Sequence, residues 1–524
     1  MKKITFLIIA SLLVLGLVLP GCGGGQQEEE EEENILKIAV CGAMTATTGL
    51  NQWDGANMAM DELNAAGGVT IGGTTYEVEV VQVETKEETE GEDGSTGTAN
   101  LQAVIDDVAF CLGGFRTEVV SVYREVAMDA EKVFMDCGAA TDALQFSVVT
   151  DYDKYKYWFK STPYNSTFLV KSCLKMTATI GNILKATLEG TEAAGAAYVK
   201  DEFKLSAAVD GKLRVHIMME DASWCAGMVT AAQYYLPLLG YTVTGTTLVS
   251  PTAADITTEM NAIKALNPHM IFTSFSGAVG AVYSTTKADL GIPAVSIGIN
   301  VPGQEMDHWD NTDGACEGEI FLDTYPEGLS YNSLTIPFFD AFVAKTGRYP
   351  LYTAATYDAI KIVCRAMEET GSLDSEDLIT WLEDLDNASA VTGSVKTAYY
   401  PMPDITITDG VAYALSEAQV RELYDIDSYG YTYNQDDWLC MASSAPHIAH
   451  DTVYGPGYQT GSGSQWQDAD GDGEGNKVGI WPVNLGPNPA LVDQYGDWSF
   501  QYDGTVKYIL TIGEMLNIPW DPYA

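Results

Sequence analysis

Apolar positions follow two alternating rhythms along most of this chain: short runs, and longer stretches that repeat every three to four residues. Ile35 to Cys41 is a run of the first kind, the mark of a strand buried on both faces. Ala56, Ala59, Met60 and Leu63 then share one helical face, which Gly67-Gly68 stops. Val78 to Val83 predicts a strand, and Leu101, Val104, Ile105 and Val108 predict a helix. Phe110 to Leu112 predicts a strand, Val119, Val122, Tyr123 and Val126 a helix, and Val133 to Asp136 a strand. Alternation of this kind implies βαβ units and a largely parallel sheet covered by helices on both faces.

After a polar break at Ser161 to Ser166 the rhythm restarts. Strands are expected at Leu213–Met219, Val243–Val249, Met270–Phe275 and Ala294–Ile299, with helices at Gly227–Leu239, around Met260, and at Gly280–Leu290. A strand at Glu319–Leu322 leads into helical patterns at Leu334–Ala344, Thr353–Glu369 and Ser375–Leu385. Two successive α/β units predict two lobes, with the later helices returning to the first. From Val391 the texture changes: a hairpin is expected around Asp409-Gly410, then a Gly-, Tyr- and Trp-rich stretch, and helical periodicity only at Val506–Leu516. That part reads as an irregular β-rich C-terminal extension.

The N-terminus has a different character. Lys2 and Lys3 precede an apolar run, Ile4 to Leu19, and then Pro20-Gly21-Cys22, the order of a secretory signal. Cysteine at its exit resembles the lipobox of bacterial lipoproteins, which implies cleavage before Cys22 and lipidation of its thiol. Gly23 to Gln27 and six glutamates, Glu28 to Glu33, follow as a self-repelling, solvated tether.

Charge narrows the function classes. Asp and Glu number 73 against 27 Lys and Arg, a formal charge of −46, so the folded body is a poor partner for nucleic acid or an anionic membrane surface. With 46% hydrophobic residues the chain is nevertheless globular rather than disordered. Eight cysteines remain beyond Cys22, none in a CxxC pair, and both disulfides and buried free thiols are open to an exported protein.

Catalytic signatures are missing: the sequence has no GxxxxGK[ST], HExxH or GxSxG and no GxGxxG opening a helix. His216 lies inside an apolar strand, and His447 with His450 makes a poor metal site. No enzymatic activity and no cofactor are expected. One loop has calcium-like spacing, Asp468, Asp470 and Asp472 with Gly473 at the sixth position, although Gly479 stands where an EF-hand needs glutamate. The alternative is a solvated turn between strands Ser464–Gln467 and Lys477–Trp481.

The stretch GAMTATTGLNQWDGANMAMDELNAAGGV, beginning at Gly42, resembles the opening of the branched-chain amino acid (leucine, isoleucine, valine) binding proteins of ABC importers. Leu112-Gly113-Gly114 with Thr117, Ala139-Ala140-Thr141, and Glu220 to Gly227 continue the resemblance in order, as do Gly455 to Tyr458 and Trp481-Pro482. It implies a type I periplasmic-binding-protein fold, in which two α/β lobes close over a small ligand. The organisation expected is a signal peptide over 1–21, anchor and tether over 22–34, lobe 1 over 35–162, lobe 2 over 163–324, a return to lobe 1 over 325–390, and a crossover to lobe 2 with the extension over 391–524.

By the same resemblance, Thr117 would touch a ligand carboxylate, Ala139 and Thr141 would hold the head group, and Trp53 and Trp224 would wall the cleft. Helix capping is the alternative for the two threonines, and core packing for the two tryptophans. Ser276 replaces a family tyrosine, and Asn300 stands where the family has a glutamate for the ligand ammonium, a role Glu305 could take over. Losing that charge keeps amide, urea and aromatic-acid ligands open beside amino acids. The implied partners are a small polar solute, an ABC permease with its ATPase subunits, and the membrane through the lipid anchor. Localisation would be the periplasm or the outer face of the cytoplasmic membrane. A sensory receptor module of the same fold is the alternative.

Overall fold

The computed structural model describes residues 34–89, 92–188, 211–329, 332–395, 397–399, 401–402, 449–454, 459, 461–468 and 471–481. Cys22 with the acidic tether, the hairpin around Asp409-Gly410, the helical pattern at 506–516, Cys440, His447 and Asp470 lie outside the described residues.

Lobe 1 is built from β1 (Ile35–Gly42), α1 (Thr47–Ala65), β2 (Val69–Ile71), β3 (Thr74–Glu84), α2 (Ser95–Gln102), β4 (Phe110–Gly113), α3 (Thr117–Asp129), β5 (Phe134–Asp136), α4 (Asp142–Thr150), α5 (Tyr152–Tyr155) and β6 (Trp158–Lys160). Its sheet runs β2-β3-β1-β4-β5-β6. All neighbours are parallel except β2, which pairs antiparallel with β3. The expected strands are all present, and Ile38 to Cys41 are completely buried, as a central parallel strand requires.

Two local features differ from the sequence expectation. β2 was not anticipated, although Gly72 and Gly73, with φ of 57° and 90°, form the two-residue turn that joins a tight hairpin. The helix expected over Leu101 to Val108 stops at Gln102 and resumes as a 3-10 turn at Ile105–Asp107. Leu101, Ile105 and Val108 are all buried, so the apolar spacing survives across the break.

Lobe 2 comprises α6 (Ser166–Leu188), β7 (Arg214–Glu220), α7 (Ser223–Leu238), β8 (Thr242–Val249), α8 (Thr257–Ala265), β9 (Met270–Phe275), α9 (Val279–Asp289), β10 (Val295–Asn300), α10 (His308–Asn311) and β11 (Ile320–Leu322). The chain then runs through α11 (Thr335–Thr346), α12 (Thr356–Thr370), α13 (Ser375–Leu382) and α14 (Leu385–Ala390), of which α11 and α12 pack on α1. Leu351 N donates to Asn51 Oδ1 at 2.8 Å and Thr356 Oγ1 to Gln52 O at 2.7 Å, fixing this return to lobe 1.

From the C-terminal part, β12 (Gly463–Gln467) and β13 (Asn476–Trp481) form an antiparallel hairpin that extends the second sheet to β13-β12-β11-β10-β9-β7-β8. The architecture is therefore two-lobed α/β. Cys41, Cys111, Cys137, Cys173, Cys225, Cys316 and Cys364 are all free and buried, and burial pushes the Cys111 thiol up to about 12. Among the described residues no helix is long and apolar enough to cross a membrane.

At the C-terminal edge of the first sheet, Lys160 and Asp136 are fully buried with Nζ 2.8 Å from Oδ2. Lys160 also donates to the Ala139 carbonyl. Burial raises the Asp136 pKa, and the Lys160 charge opposes that rise. Removing one partner strands the other charge, so Lys160→Met should lose about 3–5 kcal/mol in urea unfolding. Adding Asp136→Asn, which removes the stranded charge and keeps an oxygen for the Gly138 and Ala139 amides, should recover much of that loss; a double variant no more stable than Lys160→Met would contradict the pairing.

Candidate functional site

Both sheets direct the C-terminal ends of their parallel strands toward one cleft, the place where open α/β sheets take ligands. About 870 Å³ of space free of protein atoms lies between its walls, open solvent included. Lobe 1 contributes Phe115 to Glu118, Gly138 and Ala140; lobe 2 contributes Glu220, Trp224, Ser276, Gln304 and Asp323; Tyr164, Tyr352 and Val395 join from the connecting segments. Apolar and aromatic side chains make most of the wall, with the Phe115 and Tyr352 rings stacked at 6.3 Å.

The loops that form this wall are held from behind by buried carboxylates. Glu87 is fully buried; its Oε2 accepts from Phe115 N at 2.9 Å and Arg116 N at 2.8 Å, and its Oε1 from Thr85 Oγ1 at 2.9 Å. This fixes the turn into α3. Gly113, at φ 115°, permits the turn, because a Cβ there would lie 1.9 Å from the Cys41 carbonyl. Asp136 Oδ1 likewise accepts from Gly138 N at 3.2 Å and Ala139 N at 2.9 Å. Asp358 holds Ser394 N at 2.6 Å and Val395 N at 2.9 Å.

Lobe 2 follows the same plan. Glu220 Oε1 accepts from Trp224 Nε1 at 2.6 Å and Ser276 Oγ at 2.5 Å, while Oε2 accepts from Ser276 N at 2.8 Å and Gly277 N at 3.1 Å. One carboxylate thus positions both Trp224 and Ser276. Asp323 Oδ1 takes Tyr325 N at 3.0 Å, and Oδ2 takes Ser464 Oγ at 2.8 Å. Lys477 Nζ lies 2.6 Å from the same Oδ2, an ion-pair distance whose angle is unsuited to a hydrogen bond. The β12 hairpin also reaches the cleft through Trp466 Nε1, which donates to Gly303 O at 2.8 Å beside Gln304.

Across the cleft mouth, Ser223 N and Oγ of lobe 2 donate to Glu118 Oε1 of lobe 1 at 3.3 and 2.5 Å. Thr117 and Glu118 open the 13-residue helix α3. Among the described residues nothing accepts from their backbone amides, so the helix presents two free N–H groups beside the Arg116 side chain.

A sequence model described as periplasmic binding protein matches residues 36–400. The chain belongs to the periplasmic binding protein family. Family membership makes it an extracytoplasmic solute-binding protein and not an enzyme. A search of curated protein sequences returns no match. Among solved structures, a solute-binding protein of an ABC transporter from Rhodopseudomonas palustris in complex with 3,4-dihydroxybenzoic acid has TM-score 0.56 and 15% identity, over 86% of this chain and 97% of that one. The branched-chain amino acid transporter substrate-binding protein LivJ from Streptococcus pneumoniae, in complex with isoleucine, has TM-score 0.52 and 20% identity over 73% and 98%. A leucine-binding protein from Thermotoga maritima has TM-score 0.54 and 16% identity over 84% and 97%. At these identities the likeness is one of fold.

Within this periplasmic binding protein, Thr117, Trp224 and Ser276 line the cleft. Ala139 lies one residue behind the lining Ala140, its N–H on Asp136 and its carbonyl on Lys160. Thr141 Oγ1 caps α4 by accepting from Ala143 N at 3.3 Å. Trp53 packs half-buried against the core from α1. Asn300 is buried behind the lining, with Nδ2 3.3 Å from Glu319 Oε2. Burial, with Asp307 and Glu88 nearby, pushes Glu305 up to about 7.

In the Asp468 loop, the Asp468 carboxylate accepts from Gly471 N, Asp472 N and Gly473 N at 2.8 to 3.2 Å, and Asp472 accepts from Glu474 N at 2.9 Å. Among the described residues no group of three or more His, Cys, Asp or Glu is arranged to hold a metal ion. Arg116, Gln304, Asp323 and Tyr352 were not singled out from sequence; the first stands beside Thr117, and Asp323 directly follows an apolar strand, the position where cleft residues collect.

Burial pushes Glu87 up to about 8, from 4.5 for the free side chain. A raised carboxyl pKa stabilises the fold fully below about 4.5, and that contribution is lost as pH rises toward 8. Thermal melts should therefore show wild type losing more Tm between pH 5 and 8 than Glu87→Gln. Equal slopes would mean that Glu87 is ionised in the folded protein throughout. Asp358 and Asp451, raised by burial to about 6 and 7, keep part of the slope in the variant.

Proposed function

We propose that this protein binds a small carboxylate-bearing solute between its lobes and delivers it to the permease and ATPase subunits of an ABC importer. The observation that carries the reading is the start of α3: two free backbone N–H groups and the Thr117 hydroxyl line a mostly apolar cleft beside the Arg116 guanidinium, which also lies 3.7 Å from Glu88 Oε2. An anionic end of the solute would sit there, with its apolar body against Phe115, Tyr352 and Trp224. Branched-chain amino acids and aromatic acids are the two classes to test first, since solved relatives carry isoleucine and 3,4-dihydroxybenzoic acid. Cleavage before Cys22 and its lipidation would tether the protein to the outer face of the cytoplasmic membrane through the Glu28 to Glu33 segment.

A thermal-shift screen of amino acids, amides, urea and aromatic acids checks the reading. A solute at a hundred times its dissociation constant should stabilise the protein by about 2.7 kcal/mol. Trp224→Ala should weaken the hit by roughly tenfold, as expected for a lost aromatic wall. A panel in which no compound raises Tm would count directly against solute binding. Anchoring is checked separately: Cys22→Ala should move the protein from the membrane fraction to the soluble one.

A further inference from the structure

We infer that the solute meets lobe 2 with a neutral hydrogen-bond donor, a hydroxyl or an amide N–H, and not with an ammonium group; this rests on the cleft reading above. A buried ammonium needs a carboxylate with free acceptor positions. Three carboxylates line the cleft. Both oxygens of Glu220 are occupied, each by two donors from Trp224, Ser276 or Gly277. Asp323 is occupied by Tyr325 N and Ser464 Oγ and is neutralised by Lys477. Glu118 is exposed at the mouth and already receives Ser223.

Among the lobe 2 residues that line the cleft, the unpartnered acceptor is an amide oxygen. Gln304 lines the cleft with only 3% of its surface exposed, and its Nε2 donates to Leu322 O at 3.0 Å. That bond fixes the orientation of the amide, and leaves Oε1 buried without any donor. An unpaired buried acceptor is costly, and a neutral donor on the solute relieves it without bringing an uncompensated charge into an apolar wall.

Calorimetric titration of the mature, full-length protein tests this with three probes: leucine, 2-hydroxy-4-methylpentanoate, which replaces the leucine ammonium by a hydroxyl on the same skeleton, and 4-hydroxybenzoate. At least one hydroxyl probe should bind at least roughly tenfold more tightly than leucine, and Gln304→Met should weaken that probe by roughly tenfold. Gln304→Glu, which adds the missing charge, should narrow the gap between leucine and its hydroxy analogue. Leucine binding wild type as tightly as the hydroxyl probes would overturn the inference. So would a probe weakened by Trp224→Ala but indifferent to Gln304→Met, with the cleft reading left standing. Binding indifferent to Trp224→Ala, or no binding by any probe, would overturn the cleft reading and this inference with it.

Discussion

The cleft depends on buried carboxylates that hold its loops by their backbone amides. Glu87 fixes the turn into α3, Asp136 the loop at Gly138-Ala139, Asp358 the bend at Ser394-Val395, and Glu220 the loop at Ser276. Asp136 and Glu220 end parallel strands, Glu87 lies in the loop after β3, and Asp358 is in the first turn of α12; each satisfies N–H groups that would otherwise be orphaned in a dry place. The energetic cost is desolvation, visible as the upward pKa shifts of Glu87, Asp136 and Asp358.

That arrangement separates two kinds of acidity in a chain of formal charge −46. Among the described residues few acidic side chains are fully buried, and the sequence carries six further glutamates at Glu28 to Glu33. The few at the cleft are already occupied by the protein itself, so a carboxylate near the site is no sign of a cationic ligand. Among the residues that line the cleft, the unpartnered groups are of the opposite kind: the first N–H groups of α3 on lobe 1, beside an Arg116 guanidinium paired with Glu88, and the Gln304 amide oxygen on lobe 2. On the reading proposed above, recognition would be a matter of donors facing an anionic end and one acceptor facing a neutral one, across aromatic walls that set the size of the body between them.

Much of the fold was legible in the sequence because parallel strands buried on both faces must be apolar and the helices between them must be amphipathic. The β1 run and the Gly67-Gly68 stop mark their elements by that rule alone. β2 escaped notice because three residues are too few to show alternation, and the break after α2 because Leu101, Ile105 and Val108 keep helical spacing across it. In the site, Thr117, Trp224 and Ser276 were reached through motif order. Gln304 was not, since nothing local distinguishes it: its position in the cleft is set by a hairpin more than 150 residues away, through Trp466 and Gly303. Glu220 was visible as a motif residue, but its role in holding Trp224 and Ser276 joins two loops that only the sheet brings together.

The most direct test is amide hydrogen exchange in the mature protein, read at single residues with and without a saturating solute that the cleft binds. Thr117 and Glu118 N–H, free in this structure, should exchange markedly more slowly with solute bound, whereas Ser276 and Gly277 N–H, already held by Glu220, should change little. Unaltered exchange at Thr117 and Glu118, with protection appearing at Ser276 and Gly277 instead, would contradict the account, because it would mean that Glu220 is freed to bind the solute and the start of α3 is not its anchor.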